Sequence, residues 1–312
     1  MIELQQVNKY FGAVQVLKDI SFTVHKGEIV GFLGPNGAGK TTTMRILNGF
    51  MPATSGKARV AGYEVDKDPL EVKRRIGYLP ENVSLYNDMT VSEYLNFVAQ
   101  AKRIPRKKVA GKVSGACLQC GIDKVSNRLI GPLSKGYKQR VGLAQAIINE
   151  PEVLIMDEPT TGLDPAQIIE MRELIKSFSG EHTIIISTHI LQEVSATCQR
   201  VIIINDGRIV AEDSLANLTG GSAPGGPLMI RVHGDLALLR DRLNALDGVV
   251  SIKESDSEEP GASELIVAAE KDRDIRRAVA ETVVGSGCGL LELRPIRLSL
   301  EDIFMQTITK NA

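Results

Sequence analysis

Nine consecutive residues, "GPNGAGKTT" (34–42), carry the plainest chemistry in the chain. They fit G-x-x-x-x-G-K-[ST] and stand between an apolar strand and a helical run, the context in which that pattern wraps a polyphosphate. Glycines let backbone N–H groups turn toward phosphate oxygens at a helix N-terminus. Lys40 supplies a point charge for the β- and γ-phosphates, and the Thr41 hydroxyl suits Mg²⁺. A second segment, "VLIMDEP" (153–159), ends an apolar strand in two carboxylates. Asp157 suits Mg²⁺ through water, and Glu158 suits polarising an attacking water. His189 follows another apolar strand, placed for a single imidazole to reach a γ-phosphate. "TTGLDP" (160–165) directly follows the acids, with Asp164 as N-cap and Pro165 at the first position of a helix.

These groups need elements to hold them. Up to about residue 219 strands and helices alternate, which predicts an α/β core. "GEIVGFLG" (27–34), "PEVLIMDEP" (151–159), "HTIIIST" (182–188) and "RVIIINDGRIV" (200–210) read as strands. The last holds Asp206-Gly207, a hairpin signal. The opening segment, "IELQQVNKYFGAVQVLKDISFTV", has the short alternation of an antiparallel flank. Between roughly 90 and 150 the period becomes helical, behind a capping box at Thr90-Val-Ser-Glu93, as in an inserted helical subdomain. Residues 220–228 are Gly- and Pro-rich and read as a linker. Behind it, residues 229–312 restart in the order βαββαβ, which predicts a small α+β, ferredoxin-like domain with no cluster of catalytic groups.

Composition narrows the classes. Of 312 residues, 37 are basic and 38 acidic, which leaves no basic field for nucleic acid. No apolar run is long enough to cross a bilayer, so a membrane role must come through a partner. Cys117 and Cys120 form a C-x-x-C without a second pair nearby, and on one helix face they read as small core residues. The phosphate loop is shared by GTPases, kinases and ATPases, and "NKYF" (8–11) fails the N-K-x-D guanine signature.

The ordered set of motifs over residues 1–219 resembles the ATP-binding cassette family, the ATPase subunits of ABC transporters. The resemblance implies ATP and Mg²⁺ as cofactors. It makes Gly34, Pro35, Asn36, Gly37, Ala38, Gly39, Lys40, Thr41 and Thr42 the Walker A loop, and Asp157 the Walker B aspartate. It makes Glu158 the catalytic base, places Asp164 in the D-loop and makes His189 the switch histidine. Phe11, with Tyr10 as alternative, would stack on adenine. "LSKGYKQR" (133–140) lies where the family carries LSGGQ, so Ser134 and Gly136 would close over ATP held by a second subunit. Lys135 and Tyr137 depart from that signature, and Glu81 stands where a glutamine usually senses Mg²⁺ and the permease.

The implied partners are a second copy of the cassette and an integral membrane permease, with no nucleic acid. The implied place is cytoplasmic, peripheral on the inner face of the membrane. "GYLPENVSLYNDMTVSEYL" (77–95) and "LSLEDIF" (298–304) are similar to cassettes that energise exporters of drugs, polysaccharides or gliding-motility factors. The competing function is a non-transport cassette working on DNA or ribosomes. Such proteins resemble tandem cassettes or cassettes split by a coiled coil, and this chain has one cassette without sustained heptads.

Overall fold

A strand whose successive side chains are all apolar needs cover on both faces, and three segments of this chain obtain it. The computed structural model describes residues 1–214, 227–255, 261–270 and 273–295, which fall into two compact units. In the first, β3 (Ile29–Leu33), β7 (Val153–Asp157) and β8 (Thr183–Thr188) are buried along their whole length. Together with β6 (Ile76–Leu79), β9 (Arg200–Asn205) and β10 (Arg208–Ser214) they form a sheet ordered β10-β9-β3-β8-β7-β6. All its pairings are parallel except β9–β10. Ile29, Leu154, Met156, Ile184 and Ile186 point into one core, and Val30, Phe32, Val153, Ile155 and Ile185 into another.

The second of these cores is closed by an antiparallel sheet ordered β2-β1-β4-β5. Its strands are β1 (Ile2–Phe11), β2 (Val14–Val24), β4 (Ser55–Val60) and β5 (Tyr63–Glu64). The β9–β10 hairpin pairs Asn205 with Arg208 around Asp206 (φ 44°) and Gly207 (φ 72°), the two left-handed residues of a type I′ turn. The Lys18 ammonium pairs with Asp206 at 2.5 Å and ties this turn to β2.

The first core is closed by helices α3 (Val91–Ala101), α4 (Arg106–Gln119) and α5 (Lys135–Ile147). The capping box forms as expected: Thr90 Oγ1 accepts from the Glu93 N–H at 3.2 Å, and Glu93 Oε2 accepts from the Thr90 N–H at 2.8 Å. Cys117 and Cys120 are buried in the same core, and burial pushes the Cys120 thiol up to about 12, so this pair packs as apolar side chains. Lys102 spans from the end of α3 to the end of α5. Its ammonium donates to the carbonyls of Gln145 (2.9 Å) and Ala146 (3.4 Å) and to Asn149 Oδ1 (2.6 Å), where the helix dipole favours a cation.

The other unit runs β11 (Leu228–His233), α8 (Leu236–Asn244), β12 (Val249–Ser255), β13 (Ser263–Ala269), α9 (Arg276–Gly285) and β14 (Gly289–Pro295). Its four strands pair antiparallel in the order β12-β13-β11-β14. Leu239 and Leu243 of α8 and Val279 and Val283 of α9 pack with Ile230, Val232, Leu265 and Val267, so both helices serve one core. The expected linker falls almost wholly outside the described residues, and "LSLEDIF" falls outside them entirely. Among the described residues no helix is long and apolar enough to cross a membrane.

Burial pushes the Lys102 ammonium down from 10.5 to about 8. The unfolded chain therefore binds more protons between those values, and the penalty for a charged Lys102 is relieved as pH rises through that window. Urea unfolding of the wild type and Lys102→Met from pH 7 to pH 10 tests this. The wild type should gain on the variant above pH 8 by at most about 1.4 kcal/mol per unit; a gap independent of pH would contradict the burial of this charge.

Candidate functional site

Parallel strands bring their C-terminal ends to one edge, and the loops leaving β3, β7 and β8 meet there. The register sets Leu33 opposite Thr188 and Asp157 opposite Ser187. The glycine-rich loop leaves β3 and enters α1 (Lys40–Leu47) through Gly39, a left-handed N-cap with φ 107°. Gly34 lies against the neighbouring strand: a Cβ built there would stand 2.4 Å from the Ile204 carbonyl oxygen. Gly37 has φ 82° and open space around it. One glycine serves close approach and the other a left-handed turn.

Lys40 is 6% exposed. Its ammonium donates to the carbonyls of Gly34 (2.8 Å) and Pro35 (3.2 Å) and lies 3.5 Å from Glu158 Oε1. Glu158 is 7% exposed and takes the left-handed conformation at φ 49°, uncommon for a side-chain-bearing residue. Its N–H donates to the Ser187 carbonyl at 3.0 Å, and Thr161 Oγ1 donates to Oε2 at 3.4 Å. His189 Nδ1 lies 3.0 Å from Oε1 and 2.9 Å from Oε2. A carboxylate only accepts, so Nδ1–H donates and this bond selects the tautomer. Asp157 Oδ1 takes hydrogen bonds from Thr41 Oγ1 at 3.4 Å and from Ser187 Oγ. Burial, then the Asp157 charge, pushes the Tyr78 phenol up to about 12.

These side chains border a cleft of about 520 Å³. Asn36, Gly37, Gly39, Lys40, Thr41, Thr42, Glu81, Glu158 and His189 line it together with Val16 and Thr161. Gly34, Pro35, Ala38 and Asp157 do not line it, Ala38 and Asp157 being buried behind the lining. Phe11 does not line it either. Its ring is 49% exposed at the β1–β2 turn, with the Lys9 ammonium 5.2 Å from its centroid. The structure thus brings together the phosphate loop, both carboxylates, the histidine and Glu81, and leaves Phe11 apart.

Ser134, Gly136 and Asp164 do not line this cleft either. Ser134 is the N-cap of α5, its Oγ accepting from the Tyr137 N–H at 3.4 Å. Asp164 is the N-cap of α6 (Pro165–Ser177), accepting from the Gln167 N–H at 2.9 Å. The two helix starts touch: a Cβ on Gly136 would stand 2.5 Å from Gln167 Oε1, and one on Gly162 would stand 2.2 Å from the Lys135 ammonium. Sequence reasoning missed Thr161, Ser187 and the closeness of Lys40 to Glu158. Ser187 had a signal, sitting two residues before His189 on the strand beside the acids.

The family model described as "ABC transporter" matches residues 17–161. An uncharacterised ABC transporter ATP-binding protein of Bacillus subtilis, YdbJ, is 34% identical over 99% of this chain and 96% of its own length. The bacitracin transport ATP-binding protein BcrA of Bacillus licheniformis is 39% identical over 68% of this chain and 69% of its own. A dimeric structure of a bacterial ABC transporter cassette aligns with a TM-score of 0.63 at 25% identity, covering 69% of this chain and 99% of that one. The chain belongs to the ABC transporter family, as an ATP-binding and ATP-hydrolysing subunit.

The two glycines of the loop should answer differently to alanine. Gly34→Ala drives a methyl group into a backbone carbonyl and should cost toward the upper end of the roughly 1–3 kcal/mol typical of overpacking. Gly37→Ala meets only backbone strain, about 1 kcal/mol. Thermal unfolding of both variants checks the order, and the reverse order would refute this loop geometry.

Proposed function

We propose that this subunit hydrolyses ATP with Glu158 as general base and works as a pair of cassettes to energise export through a separate membrane permease. The observation that carries the reading is one carboxylate held between the His189 imidazole and the Lys40 ammonium at the mouth of the phosphate loop. In this reading the loop N–H groups and Lys40 take the phosphates, Lys40 exchanging carbonyl partners for phosphate oxygens. Glu158 accepts the proton of the attacking water, and His189, fixed through Nδ1, presents its other ring nitrogen toward the γ-phosphate. Phe11, exposed beside the Lys9 cation, is the surface offered to adenine.

Thr41 and Asp157 offer hard oxygen donors 3.4 Å apart, with Glu81 on the cleft wall. That set fits Mg²⁺, which takes one or two protein oxygens and keeps water and phosphate for the rest. When bound, the ion neutralises charge on the phosphates.

Ser134 and Gly136 are the half of the site offered to a second subunit's ATP, consistent with neither of them lining their own cleft and with the dimeric relative. BcrA, named for bacitracin transport, supports an export role. The cassette would then sit on the cytoplasmic face of the membrane through its permease. We assign residues 1–219 to the cassette and 229–312 to a ferredoxin-like regulatory or dimerising domain, supported by the βαββαβ order and its strand pairing. The permease is expected at the segment before α3. There Leu85 and Met89 tuck against the helical core, while Tyr86 stays exposed and packs on Tyr94 and on Phe97, itself exposed, at ring distances of 5.9 and 5.6 Å.

Glu158→Gln should lower turnover about 10²–10⁴-fold while ATP still binds. With hydrolysis blocked, saturating ATP should convert the protein to a dimer in light scattering, and Ser134→Arg should abolish that dimer. Near-normal turnover would reject Glu158 as base, and a persistent monomer would reject the composite site. Separately, Tyr86→Glu and Phe97→Glu should leave the isolated ATPase nearly unchanged and strip the permease from membrane-purified complexes. A complex that survives both substitutions would place the docking surface elsewhere.

A further inference from the structure

Glu193 takes no part in the chemistry above, yet it is a carboxylate only 5% exposed inside the core. It lies on α7 (Leu191–Thr197), the turn of helix that follows His189. Both its oxygens are engaged: Thr160 Oγ1 donates to Oε1, and Thr188 Oγ1 donates to Oε2 at 2.7 Å. Thr160 stands two residues after Glu158, and Thr188 immediately precedes His189. Thr188 Oγ1 also accepts from the Ile190 N–H at 3.0 Å, so the tether grips the His189 loop from both sides.

We propose that Glu193 is the positioning residue that sets the spacing of Glu158 and His189, by tying the loop after β7 to the loop after β8. The proposal rests on the reading of Glu158 as base. A left-handed φ at a side-chain-bearing residue persists only where its surroundings over-determine it. Glu158 is anchored across to β8 by the Ser187 carbonyl and on its own side by the turn to Thr161. Beyond that turn, Thr160 and Thr188 are both buried, and Glu193 is the acceptor they share. Removing the carboxylate leaves two buried hydroxyls without that acceptor. Apart from the Nδ1–carboxylate bond itself, it leaves the two loops joined only at the strand ends, by the Glu158 N–H to Ser187 carbonyl bond and the Ser187 bond to Asp157. The Nδ1–carboxylate bond is then no longer held at one length. Thr160, Thr188 and Glu193 border one small cavity together with Arg172 of α6, whose Nε meets no hydrogen-bond partner among the described residues, so a cation lies close to the tether.

The test uses the full chain with Mg²⁺ and ATP. Glu193→Ala should lower kcat about tenfold to a hundredfold, the scale of an ångström-level misplacement, with the KM for ATP within about twofold of the wild type. Glu193→Gln keeps an acceptor for one threonine and a donor toward the other, and should recover most of the loss. Thr160→Val and Thr188→Val each cut one tether, give intermediate losses, and carry the test if Glu193→Ala does not fold. In a Glu158→Gln background, Glu193→Ala should lower residual turnover no further, because the group it positions is gone. The same fractional loss in both backgrounds, or a raised KM at unchanged kcat, would overturn the proposal. Near-normal turnover of Glu158→Gln alone would instead reject the base assignment.

Discussion

A lysine and a glutamate held 3.5 Å apart in almost complete burial set the terms for the rest of the cassette. Each charge is expensive to withdraw from water, and their attraction offsets that cost only where further hydrogen bonds complete both shells. The chain supplies them from three different strand ends: Gly34 and Pro35 for the ammonium, Thr161 and His189 for the carboxylate. Such an arrangement requires β3, β7 and β8 adjacent, parallel and in register, which in turn requires strands apolar on both faces and a core on each side. The pair also prepares the site for a polyanion. In the proposed function, a phosphate entering beside Lys40 would replace weak carbonyl partners with charged ones and free the Glu158 carboxylate to face water.

The departures from the family pattern read differently once placed. Glu81 lines the cleft, so its charge is felt by whatever occupies the loop and adds to a wall already carrying Glu158. Lys135 lies at the first position of α5, where the helix dipole disfavours a cation. Its ammonium rests against Gly162, at the close of the loop that begins with Glu158. Tyr137 is exposed beside it. The start of α5 is therefore in contact with the loop after β7 through Lys135, and with the start of α6 through Gly136 against Gln167. A glycine at position 135 would have left that loop without this contact.

Elements whose cause is local were legible from the residues alone. The Thr90–Glu93 box, the Asp206-Gly207 turn and the apolar strands each depend on a few neighbouring residues, and each forms where expected. The phosphate loop and the carboxylates were legible because their spacing is itself the chemistry. What depends on strands distant in sequence was not. Asp157 and Ser187 are 30 positions apart, and only the parallel register makes them partners. Glu193 reads as an ordinary acid on a short helix, and only its burial and its two threonine partners reveal that it holds two loops at once. Leu85, Tyr86 and Met89 are three large apolar residues within five positions of one segment, and only packing separates the two that face the core from the one that faces out.

Helix α5 connects the two interactions the proposed function requires. Its first turn carries Ser134 and Gly136, offered to the partner's nucleotide, and rests on the start of α6. Its last turn is gripped by Lys102, and Gln145 on that turn accepts from the Tyr94 hydroxyl of α3. Tyr94 in turn packs edge-on against Tyr86, on the surface proposed for the permease. Ala144, Ala146 and Ile147 are buried on α5, so the helix is held along its length by one continuous core with α3 and α4. Packed cores transmit displacement as rigid bodies because their side chains cannot deform gradually. A γ-phosphate drawing Ser134 across the dimer interface would therefore move Tyr86 with it, and no separate relay of flexible loops is needed.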